Sequence, residues 1–311
     1  MYVIAKRASV LLYNFIKTFP QGTYLIPANV CPIVPITFCL AKVPFEFVDL
    51  NEKTFCIDEQ KCLEMISSNI QKYCGIVFVR TYGYKYDASF FFDTLHSLNK
   101  EFRIIDDRCL SIPELNTKAE KSDLILYSTG HKKPVNLGIG GIGILNDLIS
   151  INKYNEFFSS EVDIEKILKD SLERKSFLKD VPSGWLDTGG FSLGIIDYMN
   201  KINLEKINII KHKDRLNDIY LNLLPSEVIM PQAFHEWRFN ILVDNKEFLL
   251  KKIFENNLFA SSHYLPSNLL FNDGHFTIAE DLHKRIINLF NDSFISEQQV
   301  EMICKIINKY L

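Results

Sequence analysis

The sequence predicts an α/β protein: a largely parallel sheet covered by helices on both faces, followed by a smaller α+β unit. Three observations predict it. Short apolar runs alternate with segments of helical length over residues 1–145, as parallel strands joined by crossover helices require. Two of those runs end in chemically loaded residues, Asp106-Asp107 and Ser128 with the lysines that follow it. Past Leu145 the chain turns polar and helical, and a single later strand pattern at 238–243 marks a second unit.

In order along the chain, Val3, Ile4, Val10, Leu11, Leu12, Phe15 and Ile16 recur at helical spacing, so a helix is expected over 3–19, stopped by Pro20-Gln21-Gly22. Strands are expected at 24–26, 45–48, 76–79, 103–105 and 124–127, with another apolar segment at 142–145. Helices fit 58–67 and 87–99, the latter with Asp87 as N-cap. A polar helical stretch follows at 149–178, then a Pro182-Ser183-Gly184 break. An amphipathic helix is expected over 204–224, ending at Pro225; then a strand at 238–243, a helix at 246–255, and two closing helices at 279–290 and 296–310. The expected division is a large domain, 1–202, and a small C-terminal domain, 203–311, that includes the linking helix.

A chain of 311 residues is ample for about two domains at ~150 residues each. Its net charge of −3 gives no electrostatic footprint for nucleic acid. The 7 cysteines form no CxxC pair and have no nearby histidine cluster, so no metal is expected and the thiols read as reduced, in a cytoplasmic protein. No apolar run approaches the ~20 residues that span a bilayer, and no signal-like N-terminus is present.

The chemistry concentrates in Tyr127-Ser128-Thr129-Gly130-His131-Lys132-Lys133-Pro134, which continues to Gly138, Gly140 and Gly141. A lysine on a connection beside a core can be desolvated, which frees its amine for Schiff-base chemistry. The same run also reads as a basic surface loop whose glycines serve only the turn. About twenty-five residues upstream, a buried strand ends in Asp106-Asp107, where open α/β sheets bind ligands. An aspartate there can pair with the ring nitrogen of pyridoxal phosphate; it can equally cap the next turn. Arg238 offers a planar fork to a carboxylate, or forms a strand-edge ion pair. Tyr82 either packs near a planar ring or is core.

On these residues the chain resembles the DegT/DnrJ/StrS-type sugar aminotransferases. That pattern has a serine, the Schiff-base lysine five residues later and then a Gly-Gly pair, matched by Ser128, Lys133 and Gly140-Gly141, with Pro134 after the lysine as in one branch. Lys132, four residues after Ser128, matches less well. Further blocks fall in the family's order: Pro27-Ala28-Asn29-Val30-Cys31, the Phe45 to Leu50 strand, Val79-Arg80-Thr81-Tyr82-Gly83 with Asp87, Ile105-Asp106-Asp107, and Ala279-Glu280-Asp281-Leu282.

The resemblance implies the aspartate-aminotransferase-like fold of PLP fold type I, with a mainly parallel seven-stranded sheet between helices. It implies pyridoxal 5'-phosphate as cofactor, with Lys133 catalytic and Asp107, Ser128, Arg7, Ala8, Ser9 and Tyr82 around the cofactor. His131, Arg238, His263 and Tyr264 are then expected at the substrate. It implies an amino-acid donor, glutamate, and a nucleotide-linked keto sugar as acceptor, within amino-sugar or surface polysaccharide (O-antigen) biosynthesis, and a homodimer. Departures from the pattern are Leu110 where the family has Gln or His, Thr188-Gly189-Gly190-Phe191-Ser192 in place of "N.R.S", and an expected lack of the N-terminal arm. They leave open a sugar dehydratase using the same cofactor, or a non-catalytic homologue acting as a binding module.

Overall fold

Strands that are apolar along their whole length must be covered on both faces, and this dictates the layers. The computed structural model describes residues 1–156, 162–174, 176–178, 182–271 and 274–311. β2 (Thr23–Pro27), β3 (Phe45–Val48), β4 (Tyr73–Val79), β5 (Arg103–Asp107) and β6 (Leu124–Ser128) pair in parallel, and β7 (Gly141–Leu145) and β1 (Tyr2–Ala5) add antiparallel at one edge. The seven-stranded order is β1-β7-β6-β5-β4-β2-β3. α1 (Ala8–Thr18) and α2 (Ile33–Ala41) pack on a cluster that includes Leu12, Phe15, Ile36, Val77 and Leu126. α3 (Glu59–Ser68) and α4 (Ser89–Leu98) contribute Cys62, Ile66, Phe91 and Leu95 to a separate cluster with Ile76, Phe78 and Ile104.

α5 (Ile164–Glu173) and the 29-residue α6 (Ile195–Leu223) lead to a second, three-stranded antiparallel sheet. Its order is β8 (Phe239–Leu242), β10 (Ile286–Leu289), β9 (Ala260–Ser261). α7 (Lys246–Glu255), α10 (Glu297–Tyr310) and the distal half of α6 bury its apolar face through Leu216, Leu249, Ile253 and Ile303. The short α8 (Asn268–Phe271) and α9 (Thr277–Arg285) join this unit to the large sheet, and Asp49, just past β3, accepts from the Ile278 and Ala279 amides at the start of α9, both at 3.1 Å. Among the described residues no helix is long and apolar enough to cross a membrane.

The α/β architecture and the seven-stranded sheet agree with the sequence expectation, while five local expectations change. Val3 and Ile4 lie in β1, not in the first helix, because they pair with Gly143 and Ile142 across the sheet edge. Asp87 does not occupy the N-cap of α4, which is Ala88; its carboxylate instead accepts from the Ser89 amide at 3.0 Å. Within 149–178 only α5 is helical among the described residues; 157–161 and 175 lie outside them. The amphipathic helix starts at Ile195, well before 204. The expected helix at 279–290 ends at Arg285, and its second half is β10, the middle strand of the small sheet.

Candidate active site

The parallel strands β2, β5 and β6 end at the same edge of the sheet, and the chain just past each end faces a cavity of about 500 Å³. That volume is of the size that holds a small ligand or cofactor. Its walls carry Cys31 after β2, Asp107 and Cys109 from the end of β5, Ser128 from β6, and Gly130, His131 and Lys133 from the β6–β7 connection. Arg7, Ala8 and Ser9 close it at the start of α1.

The lysine connection owes its shape to two glycines. Gly140 has φ +110°, and a Cβ there would lie 2.1 Å from the Tyr198 hydroxyl. A Cβ on Gly141 would lie 2.4 Å from the Ala8 amide nitrogen. The absence of both side chains lets the Gly140 amide reach the Lys6 carbonyl at 2.7 Å, so the loop lies directly against the entry to α1. Asn136 turns the loop by accepting from the Gly138 amide at 3.0 Å. Lys132 stands in the left-handed region, φ +62°, which costs a non-glycine residue roughly 1–3 kcal/mol. The Trp237 indole N–H holds its carbonyl at 2.8 Å and offsets part of that cost.

Lys133 lines the cavity, whereas Lys132 is exposed and does not. Among the described residues the Lys133 ammonium meets no carboxylate within ion-pair distance and makes no side-chain hydrogen bond. Asp107 is buried, and burial raises its carboxyl above the ordinary value; hydrogen bonds from Cys109 and the positive charge of Lys133 oppose the rise. The Cys109 amide donates to Asp107 Oδ1 at 2.9 Å.

The adjacent Asp106 belongs to a different network. Burial works against its charge as well, yet Arg80 and Arg108 outweigh it and hold the carboxyl below its usual range. Arg80 grips Asp106 through Nε at 2.8 Å and Nη2 at 3.0 Å; Arg108 adds bonds of 2.9 and 2.7 Å. The two neighbouring acids are thereby separated in role, one neutralised by arginines and one free to face the cavity.

At the start of α1 the N-cap Arg7 is extended, makes no side-chain cap, and no acidic residue occupies the first turn. A helix N-terminus left this way, bordering a cavity, is a ready anion site. Ser128 is buried beside it, and its Oγ accepts from the Gly130 amide at a long 3.4 Å.

Of the sequence candidates, Lys133, Asp107, Ser128, Arg7, Ala8, Ser9 and His131 come together around the cavity, His131 as an exposed residue at its rim. Tyr82, Arg238, His263 and Tyr264 do not line it. They gather around Trp237: Tyr82 lies parallel to the indole with ring centres 6.2 Å apart, His263 at 5.6 Å and Tyr264 at 6.3 Å, and the Arg238 guanidinium stands 4.5 Å over it. Tyr82 donates its hydroxyl to the His263 carbonyl at 2.5 Å. Burial, with Arg238, Lys132 and Lys133 nearby, pushes the His263 imidazole down to about 4.

Sequence reasoning does not reach Cys31, Cys109, Glu165, Asp187 or Trp237. Cys109, two residues past Asp107, had a local signal in that adjacency; the others arrive through packing between distant segments. Burial raises the Cys31 and Cys109 thiols, so neither supplies a thiolate to compete with the lysine.

No protein-family model and no curated protein matches the chain. Solved structures do match its fold over nearly its whole length. A DegT DnrJ EryC1 StrS aminotransferase from Brucella abortus superposes with a TM-score of 0.67 at 17% identity, covering 99% of this chain and 85% of that one. A Streptococcus pneumoniae protein solved in its PLP form gives 0.70 at 16% identity, covering 100% and 88%. DesI, solved in the presence of its TDP-sugar product, gives 0.70 at 14% identity, covering 99% and 80%. At these identities the likeness establishes the architecture, and that architecture is PLP fold type I.

Proposed function

We propose that this chain is a pyridoxal-phosphate-dependent aminotransferase that moves an amino group from an amino acid, glutamate, to a keto sugar carried on a nucleotide. The observation that carries the reading is the convergence, in one cavity, of a lysine that has no ion-pair partner among the described residues, a buried strand-end carboxylate and an uncapped helix N-terminus. That donor set fits the cofactor's three chemical ends: an aldehyde that takes an amine, a ring nitrogen that takes a carboxylate, and a phosphate that takes backbone amides. When bound, the cofactor supplies an electron sink for the bond broken at the substrate carbon.

In this reading Lys133 holds the cofactor and, once released, carries the proton at the substrate carbon. Asp107 keeps the ring nitrogen protonated, while Ser128 and the Arg7–Ser9 segment hold the phosphate. Arg238 takes the donor carboxylate. Its guanidinium is buried and donates through Nη1 to the Ser261 hydroxyl, while among the described residues its Nε has no hydrogen-bond partner and no carboxylate lies within ion-pair distance of it. Tyr82 supports the cofactor through the Trp237 stack, His131 meets the sugar at the cavity rim, and His263 and Tyr264 border the substrate's way in. The nucleotide-sugar acceptor is supported by the TDP-sugar product named for DesI. A homodimer working in the cytoplasm, in amino-sugar or surface polysaccharide synthesis, completes the reading, and seven free cysteines support the compartment. The two sheets support a large domain at 1–202 and a small one at 203–311.

Absorbance tests it. Purified protein given pyridoxal phosphate is expected to develop a visible band that borohydride fixes onto Lys133, that Lys133→Ala abolishes and that Lys132→Ala retains. Glutamate should bleach the band. A protein that takes up no cofactor, or one labelled at Lys132 alone, overturns the assignment.

A further inference from the structure

We infer that Trp237 is a positioning residue for Lys133: its indole N–H fixes the Lys132 carbonyl and so decides which of two consecutive lysines enters the cavity. The inference rests on the cofactor reading above and adds a residue that makes no contact with the cavity itself.

Two successive lysines differ in destination only because the backbone between them turns. Lys132 has φ +62°, a conformation that glycine adopts freely and lysine does not, and it sends its own side chain to solvent while Lys133 lines the cavity. The turn's own closing bond, from the Lys133 amide to the Gly130 carbonyl, is long at 3.4 Å. The shorter restraint is the 2.8 Å bond from Trp237, 105 residues away in sequence.

Trp237 is itself immobilised by three elements. Its amide donates to the Tyr82 carbonyl at 3.3 Å, past the end of β4. Its carbonyl accepts from the buried Lys213 ammonium on α6 at 2.7 Å, and Asn291 takes a second bond from that ammonium at 2.6 Å. The ring lies parallel to Tyr82 and Tyr264, with interplanar angles of 8° and 9°. The lysine is therefore referenced to α6 and to the edge of the small sheet, where Phe239 opens β8 two residues on.

The test uses the full chain, with pyridoxal phosphate as probe, borohydride to fix it and peptide mass spectrometry to locate it. Trp237→Phe keeps a ring in the stack and deletes the N–H. Labelling of Lys133 is expected to slow at least tenfold, with a rising share of label on Lys132, a redistribution that general loss of stability does not produce. Amide exchange at 130–135 in the cofactor-free protein should accelerate at least tenfold while β6 stays protected. Adding Lys132→Gly to Trp237→Phe is expected to restore the rate of labelling at Lys133, since glycine holds positive φ without a tether. Should Trp237→Phe not fold, Lys132→Val, whose branched side chain resists positive φ, must give the same loss at Lys133 with the indole in place. Unchanged exchange, or unchanged label distribution despite faster exchange, overturns the inference. Wild-type protein that takes no label at Lys133 overturns the cofactor reading instead, and the exchange arm alone then decides whether Trp237 holds the turn.

Discussion

Tyr198 on α6 donates its hydroxyl to Thr129 at 2.5 Å, and Thr129 in turn donates to the Ile139 carbonyl at 2.7 Å, so one proton chain crosses the lysine loop from one side to the other. Gly140 is the only residue type that fits between them. Gly140→Ala is expected to lower stability by roughly 2–5 kcal/mol, combining a disfavoured backbone with a steric clash. Tyr198→Phe, which removes only one hydroxyl, should cost about 1 kcal/mol. Urea unfolding of the two variants checks the ranking.

Arg80→Met leaves Asp106 buried with half of its compensation gone. Both side chains are buried, so the expected loss is about 3–5 kcal/mol. Arg80→Lys should recover little of it, because an ammonium cannot reproduce the two-pronged grip. Chemical denaturation at neutral pH measures both.

Asp107 carries the opposite sign. Burial makes it harder to ionise in the folded chain than in the unfolded one, so its contribution is fully present below the unfolded value and falls away as pH rises through the folded value. Asp107→Asn is therefore expected to be more stable than the parent at pH 7 without cofactor, with the advantage shrinking as pH falls through the raised folded value and gone once it reaches the unfolded value near ~4. The same variant should lose at least about a hundredfold in transamination rate. Melting temperatures across pH, set beside turnover, separate the two effects.

Burial pushes the Lys213 ammonium down to about 7, against the favourable charges of Asp292 and Glu236. Between that value and its unfolded value near ~10.4 the unfolded chain binds the extra proton, so stability should climb as pH rises through this window. In Lys213→Met the climb should flatten, and the difference between variant and parent should change by a few kcal/mol from pH 7 to pH 10, on the order of the shift itself. Thermal melts at the two pH values measure it.

The parallel strands were legible because each carries a short and largely buried apolar run, a pattern visible within five residues. β10 was not. Ile286-Ile287-Asn288-Leu289 follows an amphipathic helix without a break, and only pairing with β8 and β9, both distant in sequence, makes it a strand. In the sequence β1 runs on into the pattern of α1 for the same reason, its partner being β7. Seven of the candidate site residues meet at the cavity because strand ends and a helix start are local signals. The Trp237 stack gathers residues from 82 to 264 and leaves no local trace.

The position of β10 also sets an order of events during synthesis. All seven strands of the large sheet exist once Leu145 has left the ribosome, and that sheet can close early. The small sheet cannot: a ribosome that has reached Ser261 has made both outer strands, β8 and β9, and not the strand that joins them. Until residues 286–289 emerge, two strand edges stand open beside a finished neighbour. That interval, rather than the closing of the longer sheet, is when the small sheet exposes strand edges that another chain could pair with.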